Sequence, residues 1–224
     1  ATRDDRDFRG LTREVGCLRQ EKRVLLNKIH AAVDAHGCYG DKKKFRCHEW
    51  RAALESELTP DAWLAVSMLM LRWDFVRAQS ELLEQRIAEI ASTRKEYAAL
   101  QELPGIGPAI AATILAEVPR PKEFKSAREF AAYTGLVPRN RSSAGKTKRG
   151  GITKAGPSDL RWAFGMAVMV GGFSKAPSPA TRLFKRKRAK GKPYKVALCA
   201  GANKLARMVW AMLARETTYQ PSAS

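Results

Sequence analysis

In two long stretches of the chain, residues that are mostly apolar recur alternately three and four positions apart. The first runs over positions 11, 15, 18, 22, 25, 29, 32 and 36, and Gly37 follows it. The second runs over positions 66, 69, 73, 76, 80, 83, 87 and 90, and Thr59-Pro60-Asp61 precedes it. This spacing predicts two long helices with one apolar stripe each, the second with Thr59 as its N-cap and Pro60 at its first position.

Two arrangements can bury these stripes. A stripe sustained over about four heptads favours a coiled coil with another helix. The same stripes can also bury each other in a helical hairpin within one chain. Both arrangements are present if that hairpin also pairs with a second subunit. We therefore interpret residues 11–102 as a coiled-coil or helical hairpin region and leave the two alternatives open.

A glycine turn follows in the sequence Leu103-Pro-Gly-Ile-Gly-Pro, between a helix predicted over 94–102 and a second, apolar helix. This pattern is typical of a helix-hairpin-helix, in which Gly105 and Gly107 permit a tight turn. The free amides at the start of the second helix can receive a phosphate. The alternative is a plain connection between two core helices.

The rest of the chain reads as helices separated by polar connections. Ser126 can cap a helix through Tyr133, and further helices are predicted over 157–172 and 194–214. Between them, residues 139–156 are rich in Gly, Ser and Lys and have no apolar period, so we predict a loop there. Because no useful β-alternation occurs anywhere, the predicted fold class is mainly α.

Positive charge is concentrated in one segment, residues 138–195. It has 16 Lys and Arg residues against Asp159 alone, in a chain whose formal net charge is +19. Such a composition is atypical of an enzyme of small metabolites, whereas phosphate neutralisation with counterion release requires it. No apolar run approaches the ~20 residues that span a bilayer, and there is no signal-peptide pattern. We therefore predict a cytoplasmic, nucleic-acid-binding protein with no membrane partner.

The segment 139–154 holds two serines among six basic residues. A serine hydroxyl can attack a phosphodiester to give a phosphoserine, and nearby Arg and Lys can neutralise the developing charge. The alternative is a phosphate-binding loop in which Ser142 and Ser143 are simply small polar residues. A P-loop is excluded, because its motif requires glycine at position 140, which is Asn140.

Near the N-terminus, Asp4 and Asp7 are three residues apart. On a helix they share one side and could bind a divalent metal together, although two carboxylates do not complete a site. The alternative is that acidic residues in a first turn stabilise the helix dipole.

The order of motifs from Leu103 to about Lys175 resembles the C-terminal domain of the DEDD-type insertion-sequence transposases, relatives of the Piv DNA invertase. The resemblance rests on LPGIGPAIAATILAEV and FKSAREFAAYTGLVPRNRSSAGKTKRGGITKAGPSDLRWAF, and continues through KLARMVWAML near the C-terminus. It implies that residues 1–10 are the remnant of a RuvC-like domain and residues 103–224 the serine-containing transposase domain. Most of the N-terminal domain would then be missing from this chain.

The resemblance also implies residue roles. Asp4 and Asp7 fit the last two of four acids that bind Mg²⁺ in this family, although Phe8 replaces the usual alanine after the second one. Ser142 matches the family's serine nucleophile best, and Ser143 is the second candidate. Ala144 replaces a glycine that is usual in the family's motif. The family exchanges DNA strands under the direction of a structured bridge RNA and acts as dimers that assemble into tetramers.

Two hypotheses follow for the function. The first is the nucleic-acid-binding part of a transposase for site-specific DNA strand exchange, and the second is a non-catalytic DNA- or RNA-binding helical module. Because two acids have no counterpart here, we expect this chain alone to bind nucleic acid without recombining it. The residues predicted to contact nucleic acid are Gly105, Gly107, Arg139, Arg141, Lys146, Lys148, Arg149, Lys154, Lys185, Arg186, Lys187 and Arg188.

Overall fold

The structure, a computed structural model, describes residues 2–38, 47–143 and 146–220. These residues are mainly helical, which confirms the predicted fold class. The helices are α1 (Arg3–Asp34), α2 (His48–Glu57), α3 (Pro60–Ser92), α4 (Lys95–Gln101), α5 (Pro108–Glu117), α6 (Ala127–Tyr133), α7 (Ser158–Val170), α8 (Pro179–Ala189) and α9 (Tyr194–Arg215). The two strands are β1 (Pro138–Ser143) and β2 (Lys146–Ile152).

The chain divides into two compact units. One unit comprises Arg13–Gln85, and the other comprises Ala1–Thr12 together with Arg86–Ser224. The boundaries fall within α1 and α3. The predicted division at residues 10 and 102 concerns function rather than compactness, and it stays a prediction.

In the unit Arg13–Gln85, the two predicted stripes contribute to one hydrophobic core. Leu25 and Ile29 of α1 are buried in the same cluster as Val66 and Trp73 of α3. The stripe also has polar members, Lys22 in α1 and the fully buried Ser80 in α3. The Lys22 ammonium donates a hydrogen bond to Ser80 Oγ at 2.9 Å. The stripes therefore bury each other within one chain, as the hairpin alternative requires.

Helix α1 begins earlier than the apolar spacing predicts, at Arg3 instead of Leu11. The reason is a reciprocal cap between Thr2 and Asp5. The backbone amide of Asp5 donates to Thr2 Oγ1 at 3.1 Å, and the amide of Thr2 donates to Asp5 Oδ2 at 3.1 Å. Because these bonds satisfy amides that a helix start leaves free, the helix can begin in a polar segment.

In the second unit, α9 packs against α6, α7 and α8, and α5 packs against α7. The phenyl rings of Phe130 and Phe164 meet edge to face at 6.3 Å in the core between these helices. Among the described helices, α9 is long and apolar enough to cross a membrane. Its buried residues, such as Leu205 and Val209, belong to the core, so that length and composition have a structural explanation in the packing of the unit.

The segment predicted as a loop over 139–156 forms an antiparallel hairpin of β1 and β2 instead. The prediction failed because it required an alternating apolar face. A two-stranded ribbon is held by backbone hydrogen bonds between its strands and needs no such face. The base of the hairpin is tied to the helical core, where the Thr153 amide donates to the Val137 carbonyl at 2.9 Å and the Lys154 amide donates to the Gly135 carbonyl at 3.1 Å.

Two glycines allow the close approach that anchors this hairpin. Gly135 has φ +68°, a left-handed conformation that glycine adopts without strain. A Cβ on Gly156 would lie only 1.7 Å from the carbonyl oxygen of Tyr133. The chain therefore leaves α6 and returns to α7 through backbone segments packed directly on each other.

Candidate nucleic-acid interface

The hairpin places both predicted serines at the end of β1 farthest from its base. Ser143 pairs with Lys146, Ser142 with Thr147 and Arg141 with Lys148, and the register shifts between Pro138 and Asn140. Ala144 and Gly145 of the motif lie outside the described residues, as do the side chains of 140–149. The backbone thus gathers the serines and the predicted Lys146, Lys148 and Arg149 in one short ribbon.

The base of the hairpin carries two more of the predicted basic residues. Arg139 is exposed, and its guanidinium donates to the carbonyl of Thr153 at 3.4 Å. Lys154 is exposed as well and has φ +57°, which is uncommon for a residue other than glycine. Basic side chains therefore continue from the ribbon onto the body of the unit.

A second group of basic residues lies in the segment 182–195, which we call the basic arm. It consists of the later part of α8, the turn 190–193 and the start of α9. Helix α8 starts at the N-cap Ser178, whose hydroxyl accepts from the Thr181 amide at 3.2 Å. Lys185 and Arg186 are exposed, whereas Lys187 is half-buried. Among the described residues none of these three pairs with a carboxylate, so their charge is available to phosphate.

Arg188, the fourth predicted residue of this arm, also closes the turn. Its guanidinium donates to the carbonyl of Lys192 at 2.7 Å and lies over the ring of Tyr194 at 5.8 Å. The same ring meets Phe184 edge to face at 5.6 Å. Arg188 is thus held in place by the fold, and it keeps its positive charge.

The predicted phosphate-binding glycines lie between α4 and α5 and differ in their surroundings. Gly105 has φ +97°, and a Cβ there would lie 2.0 Å from the carbonyl oxygen of Ala167 at the end of α7. Glycine is therefore required at this position for packing. Gly107 is the exposed N-cap of α5, and a Cβ there would meet no heavy atom within 4 Å. Phosphate binding at this turn stays a prediction.

Asp4 and Asp7 line one cavity of about 650 Å³, together with Glu89, Arg86 and Arg94. Among the described residues, no three His, Cys, Asp or Glu side chains lie close enough together to hold a metal ion. The two aspartates are thus placed to supply two ligands, and binding of a metal ion there stays a prediction.

A third aspartate, Asp5, has a structural role that the sequence pattern did not identify. Its carboxylate accepts from the Arg94 guanidinium at 3.1 Å, and that guanidinium lies 4.6 Å from the centre of the Phe8 ring. Burial raises the pKa of Asp5, but hydrogen bonds from Thr2 and Arg94 outweigh it and lower the pKa overall. The cap sequence Thr2-Arg-Asp-Asp was the available signal.

Glu216 is a second residue that the sequence analysis missed. It follows α9 in a left-handed conformation with φ +54°. Its carboxylate accepts from Lys95 at 2.7 Å and also from Lys122, and these two hydrogen bonds lower its pKa to about 2. Lysines far apart in sequence are thereby joined at the end of α9, which no local pattern can reveal.

Comparison with known proteins is consistent with the predicted resemblance. Residues 97–184, which include the glycine turn, the hairpin and part of α8, match the family described as Transposase IS116/IS110/IS902. A putative transposase y4pF/y4sB of Sinorhizobium fredii is 34% identical over 149 residues, which are 63% of this chain and 37% of that protein. A probable family 20 transposase of Pseudomonas aeruginosa is 33% identical over 158 residues, 65% of this chain and 46% of the relative.

A third relative is the transposase for insertion sequence element IS1328 of Yersinia enterocolitica. It is 29% identical over 167 residues, which are 74% of this chain and 50% of that protein. The chain thus spans half or less of the length of the curated relatives that it matches. The resemblance to insertion-sequence transposases is confirmed at this level.

Proposed function

We propose that this chain is the nucleic-acid-binding part of an insertion-sequence transposase that exchanges DNA strands at specific sites. The observation that carries the proposal is the hairpin of β1 and β2. It brings Ser142, Ser143 and Lys146 of the serine motif into one ribbon with basic residues, inside the segment 97–184 that matches the transposase family.

The proposed chemistry is attack by a serine oxygen on a DNA phosphorus. The Oγ–P bond forms and a P–O bond to one deoxyribose oxygen breaks. The serine proton is transferred to a general base, and the leaving deoxyribose oxygen accepts a proton. Arg and Lys neutralise the charge that develops on the phosphoryl oxygens. The hairpin supplies both the hydroxyl and the cations.

The register distinguishes the two serines. Adjacent residues of a strand occupy opposite faces, so positions 141 and 143 of β1 share one face with positions 146 and 148 of β2. These positions are Arg141, Ser143, Lys146 and Lys148. Position 142 is on the other face, opposite Thr147. Ser142 fits the family motif better, whereas Ser143 has the more basic set of neighbouring positions, and separate substitutions decide between them.

We further propose that Asp4 and Asp7 contribute to an Mg²⁺ site whose other ligands come from the RuvC-like domain of the family. Both carboxylates line one cavity, as shared ligands must. When bound, Mg²⁺ would stabilise the leaving oxygen and the transferring phosphoryl group. In this chain the two aspartates would orient that ion without completing its coordination.

The proposed oligomer uses a second apolar stripe, on the exposed side of α3. Its members lie three or four residues apart, or seven, and each is at least 49% exposed: Leu64, Met68, Leu71, Phe75 and Leu82. We call these residues the α3 seam. Its a/d spacing is that of a coiled coil, so a second copy of the chain can cover it. A dimer formed in this way would contain two hairpins, and the basic arm would stay available to DNA or a guide RNA.

A second candidate function is a non-catalytic nucleic-acid-binding module. The observation that favours it is that the described residues contain no group of three potential metal ligands. On this view the hairpin and the basic arm bind the phosphate backbone, and strand exchange does not occur. The two candidates agree on binding and differ on covalent chemistry.

One experiment tests both. The chain is incubated with Mg²⁺ and end-labelled DNA, alone and fused to the N-terminal domain of the Pseudomonas aeruginosa relative, and covalent protein–DNA adducts are resolved on a denaturing gel. We expect an adduct from the fusion only, lost in Ser142→Ala or in Ser143→Ala. An adduct that survives the double substitution excludes the serines, and no adduct from either protein favours the non-catalytic module.

A further inference from the structure

A cleft separates the base of the hairpin from the start of α9. Its volume is about 590 Å³, within the range of roughly 300–1,000 Å³ that is usual for ligand sites. One wall comes from the strands together with Leu136 and Lys154 on either side of them, and the other from the first three turns of α9. The lining includes Gly150, Gly151, Lys195, Val196 and Asn203.

The walls of the cleft are mainly apolar and carry small groups. Gly150 and Gly151 contribute only backbone on the β2 side. On the α9 side, Cys199 and Ala200 are short side chains, and Val196 is 55% exposed although it is apolar. A slot of this kind accommodates a flat apolar group, since glycine backbone and short side chains leave both faces of such a group room.

Cations lie at the rim. The ammonium groups of Lys154 and Lys195 belong to exposed side chains that line the cleft. Neither forms an ion pair with any carboxylate in the described part of the chain. Lys154 also has a left-handed backbone conformation, with φ +57°. A residue other than glycine maintains such a conformation where the surrounding structure imposes it. The rim therefore offers two uncompensated charges on opposite walls.

An uncharged polar side chain, Asn203, also lines the cleft on the α9 wall. Asn203 donates from its Nδ2 to the carbonyl of Leu136 at 3.3 Å, which fixes the orientation of its amide. An amide nitrogen has a second hydrogen to donate, and the amide oxygen can accept. The cleft thus combines apolar walls, an oriented hydrogen-bonding group and two cations.

We infer that this cleft binds one unpaired base of a DNA strand, with Lys154 and Lys195 on the phosphates that flank it. The apolar walls can cover the faces of a base, the Asn203 amide can hydrogen-bond to a base edge, and the lysines can neutralise the flanking phosphates. A lone anion would not need the apolar walls, and an apolar peptide would not need two cations. The inference rests on the proposed nucleic-acid-binding function and adds that unpaired DNA is held here.

The first test compares two DNA duplexes that differ by a single unpaired thymine. Binding of the full chain to each fluorescein-labelled duplex is measured by anisotropy. Because burial of one base against the apolar walls removes apolar surface from water, we expect the duplex with the unpaired base to bind about tenfold more tightly. Equal affinities overturn the inference.

Val196→Glu places a carboxylate at the mouth of the cleft and should abolish that tenfold preference. The matched control is Val170→Glu at the end of α7, because Val170 is 46% exposed and lies outside the cleft. Both variants change the charge equally, so a general electrostatic effect lowers both affinities alike. Retention of the preference in Val196→Glu, or its loss in both variants, contradicts the inference.

A second measurement reports the cleft directly through Cys199. In a variant with Ser at Cys17, Cys38 and Cys47, only Cys199 remains for alkylation, and burial raises the pKa of its thiol. We expect DNA with an unpaired base to slow alkylation by threefold or more and paired DNA to leave it unchanged.

The outcomes separate the cleft from the function. If neither duplex binds in the anisotropy experiment, the proposed nucleic-acid-binding function fails. If both bind but alkylation is equally fast, only the cleft assignment fails. If Cys199 becomes protected from alkylation as the protein concentration rises, without any nucleic acid, a second copy of the chain is the occupant. Protection by an RNA of the same design, but not by DNA, identifies RNA, and each of these two results overturns the inference.

Discussion

The unit Arg13–Gln85 and the unit that carries the hairpin use their charges differently. In the first, arginines pair with carboxylates of the same unit: Arg51 with Asp74 at 2.6 Å, Arg72 with Glu21 at 3.7 Å and Arg77 with Glu81 at 3.9 Å. The second unit also forms ion pairs, such as Arg94 with Asp5 at 3.1 Å, but Lys185 and Arg186 have no such partner among the described residues. Charge in the first unit is balanced by the fold, whereas the charge of Lys185 and Arg186 in the second is left for a partner.

The two units also differ in what determines their structure. The first is built on a repeated apolar spacing, which buries one stripe of each helix. The second depends on close backbone approaches at single glycines, including Gly105 on α7 and Gly156 on Tyr133. A periodic pattern tolerates local change, whereas a close approach of this kind does not. Substitutions can test this difference, and the largest effect is expected at Gly156.

Gly156→Ala should destabilise the hairpin unit by about 3 kcal/mol or more, because its Cβ cannot be accommodated without moving backbone. A Cβ there would lie 1.7 Å from the Tyr133 carbonyl oxygen. Thermal unfolding followed by circular dichroism measures the change. The matched control is Gly165→Ala within α7, where no heavy atom lies within 4 Å and alanine should stabilise the helix by about 0.5–1 kcal/mol. Equal effects of the two changes would refute the role of the close approach.

The α3 seam of the first unit allows a test of self-association instead of folding stability. Leu71→Asp combined with Phe75→Asp should weaken self-association about 100-fold while the helical content stays unchanged, because both side chains are at least 60% exposed. Sedimentation velocity over a range of concentrations gives the dissociation constant. Arg86→Asp on the same helix but outside the seam is the control. If the seam variant associates as strongly as the parent chain, the dimer uses another surface.

This contrast explains which features could be predicted from the sequence. The stripes of α1 and α3 were predictable because an apolar residue every three or four positions has few other structural meanings. The hairpin was not, because its strands are polar and their pairing depends on backbone hydrogen bonds that no side-chain pattern encodes. Its anchors, Gly135 and Gly156, are recognisable only after α6 and α7 are placed side by side.

The candidate site divides in the same way. Charge density and the serine motif were visible in the sequence, since both are properties of consecutive residues. The cleft between β2 and α9 was not, because Lys154 and Lys195 come together only through the fold. The ion pairs of Glu216 with Lys95 and Lys122 join residues about a hundred positions apart and were equally invisible.

The difference in charge use predicts a difference in salt dependence. Lys185→Ala combined with Arg186→Ala should weaken DNA binding about tenfold at moderate salt. The slope of log affinity against log salt should fall by about 0.9 for each phosphate that the variant no longer neutralises. The control removes two ion-paired arginines of the first unit, Arg72 and Arg77, and should leave the slope unchanged. Anisotropy titrations at several salt concentrations give both slopes. A slope that falls equally in both variants would mean that the first unit also binds the backbone.

The smallest effect concerns Glu216, whose two lysine partners lower its pKa to about 2 from an ordinary value of 4.5. A carboxyl group with a lowered pKa stabilises the folded state above its ordinary pKa, and that contribution is lost as the pH falls from about 4.5 to about 2. Glu216→Gln should therefore lower the melting temperature slightly at pH 6 and have no effect near pH 2. Because the group is exposed, the shift should be small and should shrink with added salt.

Glu81→Gln is the matched control for this measurement, since Glu81 has a single, longer ion pair with Arg77 at 3.9 Å. We expect a smaller change at pH 6 than for Glu216→Gln, because one exposed pair contributes little. A pH-independent effect of Glu216→Gln would mean that the left-handed position, and not the two lysines, determines what this residue contributes. The ion pairs of Glu216 with Lys95 and Lys122 would then contribute little to the hairpin unit, whose stability would come mainly from its apolar core and its closely packed glycines.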